Sequence, residues 1–404
     1  MQQQTRVVVI GGGYAGVTAA NRLTADDSVS VTLVNPRDVF VERIRLHQLV
    51  AGTDDAVVDF DRVLAPAVGL RVDTVRRIDA ASRRVLLTSG AALDYDHLIY
   101  AAGSGRAVAD VPGGEHAHAI ADLRDAEALR EALAAAGPET PVVVAGGGPA
   151  GIELAAELAE QGRPVALACG GPLGPTLHER TRRGVARRLA ALGVDVLDGP
   201  GSRVVAVTAD GAVLADGRTI GGTVVWTAGF LVPELARASG LSTDAHGRLL
   251  TDETLTSVDD ERILAAGDAA SPSGMPLRMS CQAAGPLGGH AADTVLQRIH
   301  GDEPRPFAMG FIGLCLSLGR RNGVFQFEHR DDSPTGARIA GRAGASVKEL
   351  VCRGTVQQLV LEARHPGATR LPAAFGDRSR ARMLASSGAT VRTTAPASGG
   401  AARP

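Results

Sequence analysis

Two runs of β-branched and small apolar residues, Val7–Ile10 and Val142–Ala145, break off into glycine and then into alanine-rich stretches that suit a helix. Each is followed by another short apolar run, Val29–Val34 in the first case and Val165–Cys169 in the second. A unit of strand, tight turn, helix and strand is therefore written twice in one chain. Between the copies the pattern predicts short strands at Leu70–Val75, Arg84–Leu87 and His97–Ala101, and Pro112-Gly113-Gly114 marks a crossover. The run Val224-Val225-Trp226-Thr227-Ala228-Gly229 closes the second unit, and Pro233 begins the way back. Arg262–Ala266 is a further apolar strand that ends in Gly267-Asp268, and a helix over Cys281–His300 is entered through Met279-Ser280. Residues 307–362 hold more strands and a helix near Ser346–Cys352. From about Thr369 the chain is rich in Ala, Ser, Thr, Gly and Pro and is expected to lack structure.

The two turns share the spacing G-x-G-x-x-G, as Gly11-Gly12-Gly13-Tyr14-Ala15-Gly16 and Gly146-Gly147-Gly148-Pro149-Ala150-Gly151. One such match is weak; two in the same strand–turn–helix context form a strong dinucleotide fingerprint. Gly11 and Gly146 permit the tight turn, Gly13 and Gly148 let the backbone approach a pyrophosphate, and Gly16 and Gly151 allow close helix packing. The helix N-terminus then presents free N–H groups and a partial positive charge to the phosphates.

Composition narrows the rest. With 404 residues, 45% hydrophobic and 21% charged, the chain is an ordinary globular protein of two or three domains. A net charge of −2 and 3% aromatic residues argue against nucleic acid as a partner. Cys169, Cys281, Cys315 and Cys352 have neither C-x-x-C nor metal-ligand spacing, so no metal and no disulfide framework are expected. That usage suits a reducing cytoplasm. Lys348 is the sole lysine and lies far from any motif, which weighs against Schiff-base chemistry. The strand begins too near the N-terminus to leave room for a signal peptide, and no apolar stretch approaches the roughly 20 residues of a membrane span.

Two fingerprints, the intervening Tyr95-Asp96-His97-Leu98-Ile99-Tyr100-Ala101-Ala102-Gly103-Ser104 and the late Ile263-Leu264-Ala265-Ala266-Gly267-Asp268 together resemble the two-dinucleotide-binding flavoprotein reductases. Within that group the chain is similar to type II NADH dehydrogenases and relatives of apoptosis-inducing factor, over about residues 6–360. The resemblance implies an α/β fold of two Rossmann-like domains plus a small C-terminal α+β domain. Its FAD domain would span 1–111 and 236–306, with an NAD(P)H domain inserted at 112–235, an interface domain at 307–367 and an unstructured tail at 368–404. It implies FAD against Gly11, Gly13, Tyr14, Ala15, Gly16, Asn35, Arg43, Ala102, Gly103, Gly267 and Asp268, with Asp268 accepting a bond from a ribityl hydroxyl. NADH or NADPH would lie against Gly146, Gly148, Pro149, Ala150, Gly151 and Gly229. Glu153 matches a glutamate kept near the place where nicotinamide meets flavin, although the dipole favours a glutamate in a first helical turn anyway. Gln282, at the start of a helix aimed at the flavin, completes the site as a second catalytic candidate.

Three positions depart from the family pattern. Asn35 stands where an acidic residue bonds the adenosine ribose, so that bond loses its charge assistance. Cys169 stands where a carboxylate would tell NADH from NADPH; Gly170-Gly171 with Arg180, Arg182 and Arg183 leave room for a 2′-phosphate, but no arginine sits next to the strand end. In Cys281-Gln282-Ala283-Ala284-Gly285-Pro286, Pro286 replaces the second glutamine of the family's quinone-side motif. A thiol mechanism through Cys169, Cys281 or Cys315 stays open, and His47 and Arg43 either line the flavin or pack. The expected protein is a cytoplasmic FAD-dependent NAD(P)H oxidoreductase with quinone as acceptor. Alternatives are a flavoenzyme of biosynthesis or detoxification and a slow redox sensor or scaffold. Residues 364–404 carry seven arginines against Asp377, a charge that would draw the tail to the inner face of an anionic membrane, though a solvated tail is favoured. The resemblance also leaves room for a homodimer.

Overall fold

The computed structural model describes residues 4–105, 110–371 and 375–386. Thr5–Ile10 lies at the centre of a five-stranded parallel sheet in the order Ile263–Ala265, His97–Tyr100, Thr5–Ile10, Val29–Asn35, Val68–Val72. Val7 pairs with Val31 on one side and with His97 on the other. Its side chains alternate between two cores. Val7 and Val9 face the helix layer with Val17, Ala20 and Leu287, and Val8 and Ile10 face Ile78, Val85 and Tyr95. A strand covered on both faces has to be apolar at every position, which explains the unbroken run in the sequence.

The second unit repeats the plan. Val142–Ala145 is central in a parallel sheet ordered His118–Ala119, Thr223–Trp226, Val142–Ala145, Val165–Ala168, Asp195–Leu197, again with alternate residues in two cores. Each unit also carries a three-stranded antiparallel meander, Val75–Asp79 to Ala92–Asp94 in the first and Val204–Thr208 to Thr219–Gly221 in the second. The strand expected over Leu70–Val75 is thus two strands, Val68–Val72 and Val75–Asp79, separated by the turn at Asp73-Thr74 where the chain leaves the sheet for the meander.

A C-terminal antiparallel sheet, Gly313–Ser317, Gly323–Glu328 and Pro334–Ala340, is backed by the helix Gly341–Arg364, far longer than the Ser346–Cys352 segment expected. Its close seating needs Gly344, where a Cβ would come within 2.3 Å of the Gly323 carbonyl. The far end of this helix reaches the first unit, where Glu362 pairs with the buried Arg22. The tail expected to lack structure carries a helix at Arg378–Ser386. Arg380 is buried there, bonded to both carboxylate oxygens of Glu253 at 2.9 Å and to the Pro272 and Met275 carbonyls. The remainder of the tail, 387–404, lies outside the described residues. No helix among the described residues is long and apolar enough to cross a membrane.

Candidate functional site

Both glycine turns sit at the carboxyl ends of central strands, where the strand order reverses and α/β sheets bind ligands. Gly11 has φ +102°, and a Cβ there would lie 2.3 Å from the Ala101 carbonyl; one at Gly16 would lie 1.8 Å from the Gly11 carbonyl. Gly13 differs, because its Cβ position faces nothing within 4 Å. It is also the N-cap of the Tyr14–Leu23 helix, which has no side-chain cap and no acidic residue in its first turn. Open ground before free N–H groups is a cradle for a pyrophosphate.

Around this cradle Asp268 Oδ2 accepts from Ser104 Oγ at 2.6 Å and stands 3.6 Å from Arg43 Nη1, while Arg43 donates to Ser104 Oγ at 2.9 Å. Arg43 and Asp268 are thus brought together through Ser104, the last residue of the Tyr95–Ser104 segment, beside Gly103 and Gly267. These groups fit the hydroxyl-rich stem of FAD. Asn35 is committed to the turn itself: Oδ1 accepts from the Gly12 N–H at 2.9 Å and Nδ2 donates to the Arg37 carbonyl at 2.8 Å. The Tyr14 ring is buried edge-on to Phe40 at 5.0 Å, so Tyr14 offers the cradle its backbone alone. Ala15 packs where Cβ atoms at Gly267 and Gly288 would come within 2.9 and 2.0 Å, which holds the Tyr14–Leu23 and Cys281–Ile299 helices in close contact.

The second turn matches the first. A Cβ on Gly146 (φ +126°) would meet Thr227 Oγ1 at 2.7 Å, one on Gly151 would meet the Gly146 carbonyl at 2.0 Å, and Gly148 again faces open space. Pro149 follows it at the start of the Pro149–Glu160 helix, where its missing N–H costs nothing. Gly229 (φ +78°) closes the opposite lip. Cys169 packs beneath this turn, its Sγ 2.9 Å from where a Gly147 Cβ would be. Burial, with the Asp198 charge, pushes its thiol up to about 12. The backbone of Arg203, distant in sequence, passes this strand end, its Cα 3.5 Å from a Cβ built on Gly170, and its side chain is exposed there.

The largest departure from the sequence expectation is at Glu153. It lies beyond the first helical turn, so dipole capping does not account for it. Its carboxylate is buried, accepting from Lys348 Nζ at 3.0 Å and from the Ser317 N–H at 2.8 Å, with His47 Nδ1 at 3.7 Å. Lys348, remote from every motif in sequence, is thereby the direct partner of a motif residue. Burial opposes its charge, but Glu153 more than offsets this and holds the ammonium above the usual lysine range. Burial likewise works against the Glu153 carboxylate, and Lys348, His47 and the Ser317 N–H overcome it and lower its pKa. Held in this ion pair the lysine offers no free amine, which weighs against Schiff-base chemistry on the ground of its partner and not of distance.

Beside the pair, the segment Glu42–Gln48 is a buried electrostatic joint. Arg45 makes a bidentate bond to Glu349 at 3.0 and 3.1 Å and also bonds Gln48 and Glu42. Burial, reinforced by the Lys348 charge against the pull of Glu153, depresses His47 to about 4, so it is neutral at pH 7. Unfolded, it titrates near 6.5. The unfolded chain therefore binds more protons between these values, and folding stability falls as pH drops from about 6.5 to 4, by up to about 3 kcal/mol. Urea unfolding across that range measures the slope. A His47→Gln profile of equal steepness would assign the loss to other groups.

Gln282 joins the Cys281–Ile299 helix to the C-terminal sheet, its amide donating to the Gly313 carbonyl at 3.0 Å and accepting from the Ile312 N–H at 2.9 Å. Pro286 lies within the same helix and removes the N–H that would bond the Gln282 carbonyl. Burial raises the thiols of Cys281, Cys315 and Cys352 despite the nearby Lys348, which leaves them protonated and poor nucleophiles at neutral pH.

Two matched cradles, one in a sheet completed by a returning strand and one in the sheet between, define a two-dinucleotide-binding flavoprotein reductase. The chain belongs to the pyridine nucleotide-disulphide oxidoreductase family, whose sequence profile matches residues 5–287. It is 31% identical over 353 residues to an NADH dehydrogenase-like protein of Mycobacterium tuberculosis, covering 80% of this chain and 87% of that protein. To a type II NADH:quinone oxidoreductase of Staphylococcus epidermidis it is 26% identical over 403 residues, covering 89% and 96%. NDH2 of Plasmodium falciparum, solved with NADH, superposes with a TM-score of 0.74 at 14% identity, covering 91% of this chain and all of that one, a likeness of fold. The protein is an NAD(P)H-dependent flavoprotein oxidoreductase with FAD and NADH as its cofactors.

Proposed function

We propose that this protein passes electrons from NADH through FAD to a quinone, working at the cytoplasmic face of a membrane. The observation that carries the reading is the buried Glu153–Lys348 pair, which links the helix beginning at the nicotinamide cradle to the C-terminal domain. The two cofactors supply hydride transfer from nicotinamide to flavin. Reducing a quinone to a quinol takes that hydride and one further proton, and Glu153 with Lys348 is the buried group able to hold it. Gly13 and Gly148 admit the two pyrophosphates, and Arg43, Ser104 and Asp268 hold the stem of FAD. Support for quinone comes from the Staphylococcus relative, matched over nearly its whole length. Cys169 offers no repulsion to a 2′-phosphate and Arg203 stands beside the strand end, so NADPH serves as well as NADH.

One observation favours a second reading, a flavoenzyme acting on another small organic acceptor. Pro286 replaces one glutamine, and the amide of Gln282 is occupied by backbone groups, so neither position of that motif offers a free glutamine amide to a quinone. Rapid mixing separates the readings. NADH is expected to bleach the flavin within the turnover time and a soluble quinone to restore it faster than oxygen does; Arg203→Ala slows bleaching by NADPH and not by NADH. Bleaching too slow for turnover would leave a sensor or scaffold, and reoxidation indifferent to quinone would favour the second reading.

A further inference from the structure

Behind Lys348, on the C-terminal domain, lies a cavity of about 500 Å³. Its charged lining is Arg320, Arg321, Arg342, Arg353 and Lys348 against a single carboxylate, Glu349. None of the residues of either glycine cradle takes part. The compensation stops short of neutrality. Glu349 is already shared between Arg45 and Arg353, with Arg320 at 3.9 Å, while Lys348 belongs to Glu153 and Arg320 to Glu157 at 3.2 Å. Arg321 and Arg342 have no acidic partner among the described residues.

The backbone adds charge of the same sign. Arg342 occupies the first turn of the 24-residue Gly341–Arg364 helix, where the macrodipole disfavours a cation. That helix has Ala340 at its N-cap, no side-chain cap and no acidic residue in its first turn, and Ala345 and Ser346 bring this end into the cavity wall. The unpaired guanidinium groups of Arg321 and Arg342 line one cavity together with this helix end, so an anion entering it meets positive charge from both. Local choices that cost stability mark functional sites.

We propose that this cavity is a binding site for a phosphate-bearing ligand, separate from both dinucleotide sites and independent of the identity of the electron acceptor. Several planar guanidinium forks around one space match the oxygens of a phosphate by paired hydrogen bonds. The volume is that of a small-molecule pocket, within the usual range of about 300–1,000 Å³. Leu350, 70% exposed on the same wall, offers an apolar contact to the rest of the ligand. The phosphate belongs either to a free phosphorylated metabolite or to a lipid headgroup.

The test uses FAD-loaded protein with NAD⁺ saturating the second cradle, so that added phosphate does not compete there. Calorimetric titration with pyrophosphate, and sedimentation with phosphatidylglycerol vesicles against phosphatidylcholine vesicles, compare the parent with the Arg321→Ala/Arg342→Ala double variant. An Arg180→Ala/Arg183→Ala variant, altered on an exposed helix elsewhere, serves as control. The double variant is expected to keep its flavin spectrum, melt no lower than the parent, and bind on the order of tenfold more weakly, as loss of charge-assisted bonds requires. Binding of pyrophosphate identifies a free ligand, and binding of anionic vesicles alone identifies a headgroup. Equal binding by parent and double variant, equal loss in the control, or no binding of either probe by the parent overturns the proposal.

Discussion

Replacing Lys348 by methionine is expected to destabilise the protein by about 3–5 kcal/mol, because it strands the buried Glu153 carboxylate. The side chain is close in volume, so packing is nearly conserved and the loss is electrostatic. Glu153 then has only His47 and the Ser317 N–H as partners. Its pKa rises, and the variant recovers part of its stability as pH falls, opposite in sign to the parent. Adding Glu153→Gln removes the stranded charge and restores most of the stability, a double-mutant cycle that guanidinium unfolding measures. If the pair holds the acceptor's proton, quinone-dependent turnover of the folded variant falls roughly a hundredfold while bleaching by NADH continues. An additive cycle would show that the two side chains do not interact.

Gly13→Val is expected to leave a folded, colourless protein. Its Cβ position meets no protein atom within 4 Å and its φ is −86°, so a side chain is accommodated by the backbone and projects into the space of the pyrophosphate. Flavin retained after purification should fall below about a tenth of one per chain, the consequence of a penalty of a few kcal/mol on binding. Gly148→Val, at φ −78°, should keep its flavin and lose about a hundredfold or more in kcat/KM for NADH, near 2.7 kcal/mol. Gly16→Val is the contrast, because its Cβ would lie 1.8 Å from the Gly11 carbonyl and the turn itself must break. Full flavin content in Gly13→Val would place FAD elsewhere.

What could be read from the chain follows from short-range rules. Glycine spacing after a β-branched run reports a turn whose partners lie within a few residues, so both cradles were visible. Asp268 was visible for the same reason, at the end of its own strand. Two residues were misjudged because their partners lie far along the chain. Lys348 has no motif around it, yet it pairs with Glu153 across 195 positions of sequence once the long helix folds back. Arg203 looked remote from Cys169, but it follows the Asp195–Leu197 strand, which pairs beside Val165–Ala168 and returns the chain to that lip. The buried charges of Glu42, Arg45 and Glu157 read as surface residues by type alone. Only the pairing of Glu42 with Arg45 and of Glu157 with Arg320 makes their burial tolerable.

The helix at Arg378–Ser386 makes the same point. Its composition is rich in arginine with few large apolar residues, and it is held by the buried Leu384 and by the Arg380 guanidinium, which meets Glu253 and two backbone carbonyls of a loop more than a hundred residues earlier. The sequence by itself determined two strand–turn–helix units with dinucleotide spacing, because these rest on backbone conformation and strand periodicity, while the split of one sheet around the other and FAD as cofactor came from the resemblance to the flavoprotein reductases. Tertiary structure alone decided which charges meet: the Glu153–Lys348 pair, the arginine at the nicotinamide strand end, and the uncompensated cavity behind them. Coulomb interactions act through space between residues that the chain order leaves far apart, so no local pattern records them.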